Sequence, residues 1–215
     1  MTFLVVLVGW VFSLCLHEFS HALVAYYGGD TTVRDKGYLT FNPLKYTHPV
    51  YSLVLPLLFL LLGGIGLPGG AVYIETWRLR SRSWISAVSL AGPSANLLVA
   101  IVLGFALRFA PAGAGGIWPA IAFLAFLQVS AVVLNLIPLP PFDGFGAIEP
   151  YLPMTLRSSV AQVRGMLPLV VFFLLWYVPF VNQFFWLLVN LIASALGVPF
   201  DLVQLGYRGF QFWVR

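Results

Sequence analysis

The residues best suited to chemistry form one short motif, His17-Glu18-Phe19-Ser20-His21, inside an apolar stretch. Residues four apart share one face of a helix, so two imidazoles at this spacing can bind one Zn²⁺. Glu18 adjoins the first imidazole and can act on a water molecule as a general base. Imidazoles and carboxylates inside a membrane-spanning helix are costly and are usually functional, which disfavours a purely structural pairing. The motif therefore predicts a hydrolytic zinc centre with His17 and His21 as ligands.

A third protein ligand is expected, because hydrolytic zinc sites usually have three and leave the fourth position open. Asp143 is the best candidate, since it closes the proline-broken sequence NLIPLPPFDG at residues 135–144. A broken helix exposes backbone polar groups and therefore predicts a polar cavity. The alternative role for Asp143 is to cap the next helix. The other side chains considered as ligands are Asp30, Asp35, His48, Glu75, Glu149 and Asp201.

Composition decides the environment in which this centre must sit. Of the 215 residues, 60% are hydrophobic and 8% are charged, whereas about a quarter of a soluble domain is charged. Most of the surface must therefore face a lipid bilayer, and the chain is predicted to be a polytopic membrane protein. The basic residues are spread over several loops, which argues against nucleic-acid binding. The lone Cys15 excludes a disulfide framework and a cysteine-rich metal site.

Apolar runs of spanning length predict helices over residues 3–27, 85–110 and 118–138. Residues 49–75 are apolar but broken by proline and glycine, which favours a short or re-entrant segment. Its LPGGAVYI sequence, residues 67–74, predicts an extended strand.

The predicted fold is an all-α polytopic membrane protein with a three-helix catalytic core and a short membrane-embedded β segment. Residues 1–165 are expected to form the intramembrane core that holds the zinc centre. Residues 166–215 are expected to add one or more C-terminal membrane helices and an interfacial tail, with a broken pair or hairpin in the long apolar run 167–198.

Charge distribution distinguishes two topologies for residues 49–66. A full crossing divides nine basic residues four against five between the two sides, whereas a segment that enters and returns places eight of them on one side and only Arg108 opposite. The positive-inside rule favours the second arrangement, with the amino terminus outside. Because His17 and His21 lie roughly 12 and 6 Å from a helix end near Ala25, at about 1.5 Å per residue, the centre is expected nearer the cytoplasmic side. The residues on that side are Arg34, Lys36, Lys45, Arg78, Arg80, Arg82, Arg157 and Arg164.

Three motifs occur in order: HEFSH in the first predicted span, AGPSAN at residues 91–96 in the second, and NLIPLPPFDG closing the third. This combination resembles the site-2 protease family of intramembrane zinc metallopeptidases, in its compact form without a PDZ domain. The resemblance implies His17, His21 and Asp143 as ligands of one Zn²⁺ per chain and Glu18 as the catalytic acid/base. It also likens LPGGAVYI to the family's membrane-embedded β segment. The family's LDGG is replaced here by the bulkier Phe-Asp-Gly-Phe of residues 142–145.

Two features are candidates for substrate binding. Asn135 could hydrogen-bond a substrate backbone or stabilise a tetrahedral oxyanion, or it could simply link helices. An extended substrate could add to the free edge of the predicted strand, or that strand could act as a plug that fills the cavity. The strand residues proposed to contact substrate are Gly69, Gly70, Ala71 and Val72.

These observations predict an intramembrane zinc metalloendopeptidase that hydrolyses peptide bonds within or near transmembrane segments of other membrane proteins, as in regulated intramembrane proteolysis. One alternative is a membrane metal carrier or sensor, and another is a non-catalytic membrane scaffold. Glu18 argues against a carrier, which has little use for a non-ligating carboxylate beside its metal. Gly92 and Pro93 are expected to set helix packing or a helix start rather than to take part in chemistry.

Overall fold

The protein is described by a computed structural model over residues 1–46, 72–111 and 113–211. Regular structure within these ranges is entirely helical, which confirms the predicted all-α class but not the short β segment predicted with it. The α-helices of the described part, numbered along the chain, are α1 (Thr2–Gly28), α2 (Thr32–Asp35), α3 (Arg82–Leu107), α4 (Trp118–Asn135), α5 (Asp143–Ile148), α6 (Met154–Val163), α7 (Leu167–Tyr177), α8 (Pro179–Ala195) and α9 (Phe200–Phe210).

Helices α1, α3 and α4 are long and apolar enough to cross a membrane. This confirms an all-α membrane architecture with three candidate spans in the amino-terminal two thirds of the chain. Helix α4 ends at Asn135, three residues before the predicted end of the third span at about residue 138. Residues that precede a proline avoid the helical region, so Pro138 stops the helix early. Helix α3 is likewise displaced by three residues from its predicted range of 85–110.

The C-terminal apolar run is divided at Val178, where α7 ends and α8 begins with Pro179 at its first position. Proline is favoured at a helix start because its missing N–H has no partner there. The axes of α6 and α7 meet at 75°, and those of α8 and α9 at 116°. If each bent pair is one broken span, the described residues contain up to five spans.

Helix α4 is the centre of the assembly and is buried along most of its length between α1, α3, α8 and α9. Its alanines at 120, 122 and 125 are fully buried, and such small side chains let neighbouring helices approach closely. Helix α9 packs across the start of α4, where a Cβ on Gly206 would overlap the Pro119 carbonyl oxygen. The chain therefore forms a tight helical scaffold rather than a loose set of spans.

The predicted strand falls largely outside the described part, which lacks residues 67–71. Val72, Tyr73 and Ile74 have no regular secondary structure, so the β segment is not supported there. Val72 and Ile74 nevertheless pack on an apolar cluster that includes Cys15 and Ala22 of α1, whereas Tyr73 is exposed. This short piece of chain therefore lies against α1 with alternate side chains turned inward.

Candidate metal centre

His17, His21 and Asp143 are brought together from α1 and from the first residue of α5. The two histidine Nε2 atoms are 3.0 Å apart. Asp143 Oδ2 lies 3.2 Å from His17 Nε2, and its Oδ1 lies 3.5 Å from His21 Nε2. Two ligand atoms held at about 2.0–2.1 Å by one tetrahedral zinc ion are about 3.3 Å apart. The three separations bracket this value, although the two from Asp143 end on different carboxylate oxygens, so these side chains form a group that could hold one metal ion.

The hydrogen-bonding state of His21 also fits metal ligation. Its Nδ1 lies 2.6 Å from the Val88 carbonyl oxygen on α3, and a carbonyl only accepts, so Nδ1 must carry the proton. In the neutral ring Nε2 is then left with its lone pair, directed toward His17 and Asp143. An outer hydrogen bond of this kind commonly fixes the tautomer of a ligating histidine.

The surroundings of the cluster are shaped by two glycines. A Cβ on Gly92 of α3 would lie 2.5 Å from His17 Nε2 and would overlap His21 Nε2. A Cβ on Gly144 would overlap the Leu136 carbonyl oxygen, so glycine lets α5 begin close to the end of α4. Asp143 Oδ2 is buried and makes no hydrogen bond within the described part of the chain. Such an unsatisfied carboxylate oxygen is unusual in the absence of an ion, and two nitrogens plus one carboxylate is a donor set typical of catalytic zinc.

Glu18 lies beside the cluster and is only 3% exposed. Its Oε2 accepts a hydrogen bond of 3.2 Å from the backbone N–H of Val72. Glu18 is absent from the three-residue group that could hold a metal, so its carboxylate is available for proton transfer. Of the four strand residues predicted to bind substrate, only Val72 lies in the described part; Gly69, Gly70 and Ala71 lie outside it.

Asn135 and Asn96 are both buried and line a small cavity together with His17 and Trp10. Its volume is about 10 Å³, which is near the minimum needed for one water molecule. Trp10 Nε1, His17 Nδ1 and Asn96 Oδ1 are buried without hydrogen-bond partners among the described residues. Asn135 thus lies next to a predicted ligand, at the end of α4 that faces Asp143.

The other carboxylates considered as ligands have different environments. Asp30 is fully buried and accepts hydrogen bonds from Thr32 and from the backbone N–H of Glu75. Glu75 forms ion pairs with Lys36 and Arg78, and their hydrogen bonds lower its pKa to about 2. His48 lies outside the described residues. None of the described alternatives belongs to the metal-binding group: Asp30, Asp35, Glu75, Glu149 and Asp201 all lie outside it.

Sequence reasoning missed two contributors to this centre. The Val88 carbonyl has no sequence signal, because every residue carries one. Gly92 was expected to serve only packing or a helix start, but it abuts both imidazoles, and Pro93 lies inside α3 rather than at its start. A Gly-Pro pair inside an otherwise apolar helix was the available signal for Gly92.

Helices long and apolar enough to cross a membrane pack around two histidines and one aspartate that could hold a metal ion. This combination is consistent with an integral membrane metalloprotein. Comparison with known proteins agrees. Three relatives carry the name "Putative zinc metalloprotease". Rip2 of Mycolicibacterium smegmatis is 49% identical over 98% of this chain and 81% of its own length. Rip2 of Mycobacterium tuberculosis is 44% identical with the same coverage, and YwhC of Bacillus subtilis is 30% identical over 84% of this chain and 83% of its own.

The chain therefore belongs to the site-2 protease family of zinc metallopeptidases. No family profile and no solved structure matches it.

Proposed function

We propose that the protein is an intramembrane zinc endopeptidase that cleaves transmembrane segments of other membrane proteins. The observation that carries this proposal is the convergence of His17, His21 and Asp143 at ligand spacing, beside the buried carboxylate of Glu18. Both histidines and Glu18 belong to α1, a helix able to span a membrane. The reacting bond must therefore be brought to a site among membrane helices, which favours a transmembrane substrate.

One Zn²⁺ per chain, held by His17, His21 and Asp143, would supply Lewis-acid activation of a water molecule and of the scissile carbonyl. Glu18 accepts a proton from the attacking water while the water oxygen bonds to the carbonyl carbon of the substrate. Glu18 then delivers that proton to the amide nitrogen, and the carbon–nitrogen bond breaks. The low exposure of Glu18 strengthens electrostatic interactions in the site by excluding bulk water.

Substrate is proposed to bind in an extended form beside α1. A helical segment hides its carbonyl groups in its own hydrogen bonds, so it must unwind locally before cleavage. Asn135 lies next to His17 and could then bind the exposed backbone or the developing oxyanion. Val72 is the described member of the segment proposed to bind substrate, and its N–H contacts Glu18, so a substrate bound along Val72 would lie beside that carboxylate.

We further propose that the centre lies nearer the cytoplasmic side of the membrane. The end of α1 and the start of α3 meet, since the backbone N–H of Arg80 donates to the Gly28 carbonyl over 3.0 Å. Glu75 also joins Lys36 to Arg78. Basic residues that precede and follow the segment 47–71 thus share one end of α1. The positive-inside rule makes that end cytoplasmic.

The test is cleavage of tagged single-span reporter proteins, each with a central Gly-Pro pair in its transmembrane segment, in reconstituted vesicles. Glu18→Gln should reduce cleavage at least about 100-fold, the usual contribution of a positioned acid/base, while bound zinc is retained. Glu149→Gln is the matched control, because Glu149 pairs loosely with Arg157 at 4.0 Å and lies outside the metal-binding group. Equal cleavage by wild type and Glu18→Gln, or purified wild type free of zinc, would refute the proposal.

A further inference from the structure

The segment Val72–Glu75 lacks regular secondary structure but is tied to the rest of the protein at both ends. At its start, the Val72 N–H donates to Glu18 Oε2. At its end, the Glu75 N–H donates to Asp30 Oδ2 over 2.7 Å. Glu18 belongs to α1, and Asp30 lies two residues beyond the end of that helix, with its N–H bonded to the Ala25 carbonyl. One rigid helix and its C-terminal turn thus provide both anchor points.

The second anchor is itself rigid. Asp30 has no exposed surface, and its Oδ1 accepts hydrogen bonds from the Thr32 N–H at 3.1 Å and the Thr32 hydroxyl at 2.6 Å. The other oxygen is directed at the Glu75 backbone. A buried carboxylate with both oxygens hydrogen-bonded is held in one orientation. It therefore fixes where Glu75 lies relative to the end of α1.

Lys36 adds a side-chain link to the same piece of chain. Its ammonium donates to Glu75 Oε1 at 2.9 Å and to the Tyr73 carbonyl at 3.3 Å, and it lies 4.9 Å from the centre of the Tyr73 ring. Arg78 donates to the other Glu75 oxygen at 2.5 Å. The Glu75 carboxylate is 15% exposed, whereas its partners Lys36 and Arg78 are 27% and 47% exposed, so two partly solvated cations hold its two oxygens.

We propose that Asp30, Lys36 and Glu75 form a clamp that positions the Val72 N–H against Glu18, and that these three are positioning residues for the reaction. The proposal rests on the proposed proteolytic function. A general base works best when a third group orients it. Here the backbone N–H of Val72 is that group, and it holds one oxygen of Glu18 in place. The residues between the anchors have no strand partner in the described part of the chain. The position of Val72 therefore depends on the clamp.

Deuterium exchange and kinetics together test the clamp. Lys36→Met and Glu75→Gln should speed amide exchange in the peptide that contains Val72–Glu75 about tenfold, as expected for the loss of one charged hydrogen bond. Their kcat on the reporter proteins should fall by a similar factor, with KM changed less than about twofold and zinc content unchanged. Lys36→Arg, which keeps the cation, should restore both values. Neither variant touches the fully buried Asp30, so folding is expected to survive.

Asp35→Asn is the matched control. Asp35 adjoins Lys36 in sequence, but its side chain is 72% exposed and pairs with Arg34 at 3.6 Å, away from the segment. Unchanged exchange in Lys36→Met and Glu75→Gln overturns the clamp, whether or not the protein cleaves anything. Faster exchange with unchanged kcat in an active protein overturns the positioning role, as does an effect confined to KM. A wild type that cleaves no reporter overturns the proposed function and the positioning role with it, whereas the exchange result still decides the clamp.

Discussion

Substitution of Gly92 by alanine should separate metal binding from folding. Gly92 faces the imidazoles of His17 and His21 from α3, and an added methyl group would lie 2.5 Å from His17 Nε2 and would overlap His21 Nε2. Real Cβ contacts closer than 3.0 Å are essentially never observed. The ring of His21 is held by its bond to the Val88 carbonyl, so it cannot retreat without losing that bond. The imidazoles must therefore leave their ligand positions, or α3 must move.

The expected magnitude follows from the cost of overpacking. Inserting one methyl group into a tight core typically costs about 1–3 kcal/mol. If the imidazoles move, the strain is relieved in the metal-free protein and the cost falls on zinc binding. At about 1.4 kcal/mol per factor of ten, zinc affinity should fall roughly 10- to 100-fold. This is also the range found when an outer partner of a ligand is removed.

The assay is a zinc titration of metal-free protein against a chelator of known affinity, alongside thermal unfolding in detergent. Gly104→Ala is the matched control. Gly104 lies in α3, as Gly92 does, but away from the metal-binding group, and its added Cβ would lie 2.5 Å from the Leu196 carbonyl oxygen. It should lower the unfolding temperature and leave zinc affinity unchanged. Wild-type zinc affinity in Gly92→Ala, combined with an unchanged unfolding temperature, would refute the close approach of Gly92 to both imidazoles.

Three further outcomes are expected. Asp143→Asn should lower zinc affinity by more than the roughly 10- to 100-fold loss typical of an outer partner, as measured by metal analysis; full zinc content would exclude Asp143 as a ligand. Tyr46→Phe should destabilise the protein by about 1–3 kcal/mol without affecting zinc, because the buried Tyr46 hydroxyl lies 2.7 Å from the Thr40 carbonyl and 3.0 Å from that of Cys15; unfolding curves that coincide with wild type would contradict this. The low pKa of Glu75, about 2, means that its ion pairs contribute stability above its unfolded pKa of about 4.3 and lose it as the pH falls through about 2. The difference in unfolding temperature between wild type and Glu75→Gln should thus be constant above about pH 5 and should shrink in more acidic solution; a difference that shrinks between pH 8 and pH 6 would be inconsistent with this pKa.

Several features could be predicted from the sequence because they depend on short-range pattern. The three long apolar runs predict α1, α3 and α4, since only a helix satisfies its own backbone hydrogen bonds in lipid. The spacing of His17 and His21 places both imidazoles on one helical face. Prediction was less accurate at the end of α4. The apolar sequence continues past Asn135, but the downstream Pro138 disfavours helical backbone in the residue before it, and the helix ends first.

The amino-acid sequence by itself determined the membrane environment, the three spans and the pair of histidines, because hydropathy and helical periodicity are local properties. Tertiary structure alone decided that Asp143 meets those histidines, since that contact requires α5 to begin against the end of α4. It also decided that the Val88 carbonyl fixes the His21 ring, that Gly92 leaves room for both imidazoles, and that the Val72 N–H reaches Glu18. These contacts join residues far apart in the chain. Two of them use backbone atoms, which every residue carries, and one depends on the space that glycine leaves, so the sequence offers little signal for them.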